Sequence, residues 1–317
     1  MPSPLPSAEH FSIVAPMRAL RALLIYILAV FVGGALLAPP LYWFVQSHAH
    51  TFPHLASAAF PRYVHRCLLG IALIGLWPLV KSLEMKSLPE VGIVHPRGQW
   101  KKLGAGFLLG LFSLATIVVI AFACHARHMN RHLSDGQIVH KLIDAAGTAI
   151  LIAILEEILF RGALFGALRK VFHWTLAVVI SSMIYAILHY FESGNAPDTV
   201  AWFSGLQMLP LMLQNLGDLH AVIPGFFNLT LAGMLLAWAY QRTGNLYFSI
   251  GLHMGWIFWV KAYAIVTQIT PGADRWWWGS GRMAIVNGWV ALPVLIGTLL
   301  FFGRRTSNIQ PSTSNTQ

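Results

Sequence analysis

The sequence predicts an all-α protein, a polytopic integral membrane bundle of about eight transmembrane helices. Three observations carry this expectation. Hydrophobic residues make up 56% of the 317 positions and charged residues only 10%, whereas a soluble domain is about 25% charged. Mean hydropathy is +0.64. Apolar runs recur at roughly the 20-residue length that crosses a bilayer core. A chain this apolar is poorly tolerated by water. Disorder, a collagen-like fibre, a disulfide scaffold and an ordinary cytosolic enzyme are therefore excluded.

Eight runs meet the length requirement, at approximately 22–45, 66–83, 103–124, 145–168, 173–191, 222–241, 245–269 and 284–303. The first is too long and too late for a signal-peptide core, so it reads as a retained helix that Pro39-Pro40 ends or kinks. The stretch 200–216 is shorter and carries Gly205, Pro210, Gln207, Gln214 and Asn215. It reads as an interfacial or re-entrant segment. With the N-terminus inside, the inner segments hold twelve Lys and Arg against six in the outer ones. Basic loops stay cytoplasmic, so both termini are expected there, in the inner membrane if the source is bacterial.

The net charge of +10 has the same explanation. Lys and Arg are scattered through loops with no long basic run, so nucleic acid is not an expected partner. Cys67 and Cys124 lie in or beside apolar runs, have no CxxC spacing and read as small core residues. Trp276-Trp277-Trp278 reads as an interfacial anchor. His125, His128 and His132 would share one helix face, but Arg127 and Arg131 oppose a cation there, so a solvated interfacial loop is expected. The organisation that follows is an N-terminal cytoplasmic tail (1–21), three helices with their loops (22–139), a core (140–270), a last outer loop with a C-terminal helix (271–305) and a disordered tail (306–317).

Charges at bilayer depth cost about 3 kcal/mol each on insertion scales and mark functional sites by default. The run Leu155-Glu156-Glu157-Ile158-Leu159-Phe160-Arg161-Gly162 places three in one apolar helix. Glu157 and Arg161 are four apart and can pair on one face. Glu156 is turned by about 100° from Glu157 and stays free. A free carboxyl group in apolar surroundings suits acid–base chemistry near neutral pH. Two histidines, His189 and His253, also lie within apolar runs. Counted from the cytoplasmic ends of their helices, Glu156, His189 and His253 sit about 18, 22 and 12 Å deep. With ordinary tilt of about 20°, the three can converge near mid-membrane as a water-activating set.

These residues resemble the CPBP intramembrane proteases, the family of the CAAX prenyl endopeptidases and the bacteriocin-processing, Abi-type proteins. Three motifs carry the resemblance: Glu156-Glu157-Ile158-Leu159-Phe160-Arg161, Tyr185-Ala186-Ile187-Leu188-His189, and the region Leu231-Ala232-Gly233 through Ser249-Ile250-Gly251-Leu252-His253. It covers about residues 140–262. The resemblance implies an intramembrane endopeptidase in which Glu156 and His189 activate a water, Glu157 and Arg161 support them, and His253 donates to the oxyanion. It implies a membrane-protein or lipidated-peptide substrate within the bilayer. Glu156, His189 and His253 could hold Zn²⁺ as a metalloendopeptidase would. No HExxH motif is present, so the glutamate mechanism without a cofactor is preferred.

One departure stands out. Four residues after His253, where the family carries Asn, this chain has Ile257, which donates no hydrogen bond. Either another group substitutes (Asn228, Ser249 and Trp256 are in the same region), or the enzyme is weak or inactive. Alternatives are a pseudoprotease or maturation or immunity scaffold of the same family, and a transporter with Glu156, Arg161 and the histidines along an ion path. Lys261, about 12 Å beyond His253, snorkels outward or lines a cavity.

Overall fold

The computed structural model describes residues 14–85, 87–191, 195–281 and 283–306. The polar ends lie outside the described residues, except for Val14, Ala15 and Thr306, which are helical. Lys86 and Arg282, both part of the charge count, also lie outside them.

Eight apolar helices of ten residues or more lie among the described residues. They are α1 (Met17–Ser47), α2 (Phe60–Ser82), α3 (Trp100–Ala123), α4 (Asp135–Leu168), α5 (Trp174–Leu188), α6 (Leu219–Thr243), α7 (Tyr247–Val266) and α8 (Ala291–Thr306). All but α5 and α8 are long and apolar enough to cross a membrane, which makes six. The other two have 15 and 16 residues, and so reach only about 22 and 24 Å of a core about 30 Å thick. The chain is a helical membrane bundle.

Local sequence explains where the helices run. Ser134 and Gln137 form a reciprocal capping box, with Gln137 Oε1 accepting from Ser134 N at 3.0 Å. This cap starts α4 ten residues before its apolar run begins. Pro39-Pro40 does not end α1, which continues to Ser47. Pro39 has no N–H to offer the Ala35 carbonyl. Gly205 lies against that same carbonyl, so close that a Cβ there would overlap it. Gly205 belongs to a short helix, Ser204–Leu211. At 8 residues this helix covers about 12 Å, too little to span, and it rests on α1.

The segments that follow α3 and α7 carry one small ribbon. Arg127–Met129 pairs antiparallel with Thr267–Ile269. Arg127 is buried, donates from Nε to Thr267 Oγ1 at 2.7 Å and stacks 4.2 Å over the Tyr263 ring. The ribbon separates the three histidines of this segment. His125 lies before it with φ 53°, His128 is within it and His132 follows it, so they share no helix face. Cys67 is buried as expected. Cys124 is exposed, because α3 ends at Ala123.

The closest helix contact is between α3 and α7. Gly106 and Gly110 face Phe248 and Leu252, while Gly251 and Gly255 face Leu103 and Phe107. A Cβ at Gly106, Gly110 or Gly251 would overlap a carbonyl oxygen of the opposite helix. Two small-x-x-x-small faces thus interlock, which lets the backbones touch where no hydrophobic force operates between lipid-embedded helices. His253 is two residues from each α7 glycine, turned roughly 200° away. The glycine contact therefore aims His253 at α4. Gly251→Leu is expected to cost roughly 1–3 kcal/mol by overpacking, read as a lowered midpoint of thermal unfolding in detergent. Gly147→Leu, where open space surrounds the Cβ position, should leave the midpoint nearly unchanged.

Candidate functional site

Helix α4 begins as a regular α-helix and widens into a π-helical turn over Ile158–Phe165, directly after the two glutamates. Such turns are rare and concentrate at functional positions. Arg161 lies within it, and its guanidinium folds back on Glu157, with Nη1 2.9 Å from Oε1. Both side chains are almost wholly buried. Arg161 also donates from Nη2 to the Gly233 carbonyl at 3.4 Å and lies 4.5 Å over the Tyr185 ring.

Helix α7 supplies the second partner of Glu157. His253 Nδ1 stands 3.0 Å from the same Oε1. An ionised carboxylate only accepts, so Nδ1 carries the hydrogen. In the neutral ring Nε2 is then bare, and donation from Nε2 to an oxyanion would need a second proton. Nε2 faces the Tyr185 hydroxyl at 3.1 Å and Glu156 Oε2 at 3.7 Å. Glu157 is thus clasped between a guanidinium and an imidazole.

Glu156 has a different environment. Its side chain is 27% exposed, and Oε2 is buried with no hydrogen-bond partner. His189, at the C-cap of α5, directs Nε2 toward this oxygen at 3.9 Å. The other ring nitrogen of His189 donates to the Tyr185 carbonyl at 2.8 Å, which leaves Nε2 as an acceptor. A span of 3.9 Å is too long for a direct bond and suits one bridging water. An unpartnered carboxylate and an accepting imidazole on either side of such a gap can orient a water and take its proton.

The five residues expected from the sequence, Glu156, Glu157, Arg161, His189 and His253, are brought together in one place. The cluster forms one end of a cavity of about 560 Å³. The cavity follows α4 from Glu156 through Ile152 and Thr148 to Asp144 and Lys141. Fifteen residues of helix make that face about 22 Å long. Lys261 lines its far end, and Ile257 lines its wall. Tyr185, at the centre of the cluster, drew attention in the sequence only as part of a motif. Its distinguishing signal is a hydroxyl-bearing aromatic one helical turn before an intramembrane histidine.

Fold and site together define a polytopic helical membrane protein with a buried carboxylate–imidazole cluster opening on an apolar cavity. Residues 138–259 match the family model for type II CAAX prenyl endopeptidase Rce1-like proteins, consistent with a CPBP-family intramembrane protease. The matched segment runs from the first turn of α4 nearly to the end of α7 and contains the whole cluster. It supports a CAAX-type intramembrane endopeptidase in general. No curated protein and no solved structure matches the chain.

Breaking the clasp on Glu157 has a calculable cost. Removing one partner of a buried pair leaves an uncompensated charge and costs about 3–5 kcal/mol. Arg161→Met should therefore lower detergent-phase unfolding stability by that amount. Glu157→Gln/Arg161→Met, which removes both charges, should recover much of the loss in the same assay.

Proposed function

We propose that this protein is an intramembrane endopeptidase whose water is activated by Glu156 and His189. The observation that carries the proposal is the unpartnered Glu156 Oε2, 3.9 Å from His189 Nε2, on two residues that line the cavity. Water donates one hydrogen to each. As its oxygen attacks the carbonyl carbon of a peptide bond, Glu156 takes the proton. On collapse of the tetrahedral intermediate the C–N bond breaks, and Glu156 returns that proton to the departing amine. Glu157 and Arg161 hold His253 and the π-helical turn in place and do not touch the water.

The cavity's chemistry supports the substrate class. Its middle is lined by Ile152, Leu229, Ala232 and Val260, and its far end by charged residues. An apolar segment of a membrane protein or a lipidated peptide fits such a wall. We further propose that both termini face the cytoplasm, on the charge balance of the loops.

Two imidazoles and a carboxylate are zinc ligands in kind. The Nε2 atoms stand 3.9 and 3.7 Å from Glu156 Oε2, wider than the roughly 3.4 Å edge of a tetrahedral zinc shell. No group of three His, Cys, Asp or Glu among the described residues has metal-holding geometry. The proposed step uses Glu156 and His189 and is routed through no metal. A second reading, a scaffold without activity, is favoured by Ile257 in the cavity wall.

Detergent-purified protein should cleave members of a quenched-fluorescent panel of apolar and prenylated peptides. Glu156→Gln should lose at least about 10²-fold in rate while keeping its unfolding midpoint, and a chelator should leave the wild type active. Loss of cleavage in chelator, restored by zinc, would contradict the carboxylate mechanism. Silence of the wild type across the panel would favour the scaffold.

A further inference from the structure

Hydrolysis at Glu156 creates an oxyanion, and the cavity must offer it a hydrogen. Asn228 gives both Nδ2 hydrogens away, to Val286 O at 2.8 Å and Gly288 O at 2.9 Å. Trp256 Nε1 donates to Ser113 Oγ at 2.9 Å. Ser249 donates to Leu246 O at 3.0 Å, and Thr148 to Asp144 O within α4. The hydrogen of neutral His253 is held by Glu157, and that of His189 by the Tyr185 carbonyl. Ile257 has none. Arg161 donates to Glu157 and Gly233, and Lys141 and Lys261 stand at the far end of the cavity. What remains is the hydroxyl of Tyr185, a residue that lines the cavity, 3.1 Å from His253 Nε2.

We propose that Tyr185 is the oxyanion donor of this site, filling the place that Ile257 leaves without one; this rests on the proteolytic function proposed above. Its ring is held by three neighbours: Phe160 edge-on at 5.1 Å, His189 at 4.2 Å, and the Arg161 guanidinium over its face at 4.5 Å. Ring position is thus set independently of the hydroxyl. In the resting site the phenolic O–H points to His253 Nε2. Turning about the C–O bond redirects it to a carbonyl oxygen bound in the cavity. As the water oxygen bonds to the carbonyl carbon and Glu156 takes its proton, the C=O electron pair moves onto oxygen, where the Tyr185 O–H donates to it. Collapse re-forms the C=O bond and expels the amine, which carries away the proton from Glu156. Tyr185 keeps its own proton throughout.

Tyr185→Phe deletes the hydroxyl and preserves the three ring contacts and the carbonyl that orients His189. One preorganised oxyanion donor is worth on the order of 10²–10³ in rate. On a peptide that the wild type cleaves, kcat should fall by that factor with KM little changed. Affinity for a phosphinic isostere of the same peptide, which mimics the tetrahedral intermediate, should fall in parallel. Tyr185→Phe/Ile257→Asn, which returns a donor to the same wall, should regain activity. An unchanged kcat in Tyr185→Phe beside an active wild type overturns the assignment and leaves the proteolytic function standing. A fall in kcat that spares phosphinic affinity and is not repaired by Ile257→Asn marks a positioning role through His253 and likewise overturns it. Failure of wild type and Ile257→Asn alike to cleave any peptide removes the proteolytic function and this assignment with it.

Discussion

The site depends on a fully buried carboxylate, Glu157, held at one oxygen by two partners, Arg161 at 2.9 Å and His253 at 3.0 Å. A bare carboxylate at this depth would cost several kcal/mol. The arginine comes from the following turn of the same helix, and the histidine from a helix 96 residues further along the chain. Folding must therefore bring α7 against α4 before Glu157 is satisfied. The tautomer of His253, the orientation of its Nε2 and the position of the Tyr185 ring under Arg161 follow from this one anchoring.

Packing supplies the other half of the constraint. The four glycines between α3 and α7 admit a backbone-to-backbone approach that larger residues forbid. This approach turns His253 inward at a fixed depth. The π-helical turn in α4 acts at the opposite wall, on the segment that carries Arg161. Two neighbouring glutamates on α4 thereby acquire opposite environments. Glu157 Oε1 is held by Arg161 and His253, whereas Glu156 lines the cavity with its Oε2 unpartnered.

Much of this was legible in the sequence, and for a physical reason. Ionisable residues in apolar runs are expensive, so Glu156, Glu157, Arg161, His189 and His253 announce themselves by cost alone, and helical spacing separates Glu157 from Glu156. What spacing could not reveal was contact between distant helices. The His253–Glu157 bond, the commitment of Asn228 to Val286 and Gly288, and the central place of Tyr185 all depend on tertiary packing. The paired glycine faces were visible at a spacing of four, but glycine carries no chemistry and attracts no notice until a partner helix is known. His125, His128 and His132 are exposed and form no helical set, because Arg127 draws their segment into a ribbon with Thr267.

The two adjacent glutamates do different work, Glu157 holding the site and Glu156 lining the cavity. Double-mutant cycles on unfolding free energy measure this division directly. Glu157→Gln with His253→Ala, and Glu156→Gln with the same His253→Ala, would be compared in one detergent. The expected coupling is about 1 kcal/mol or more for Glu157 with His253 and a smaller one for Glu156. Equal couplings, or a larger one for Glu156, would contradict it.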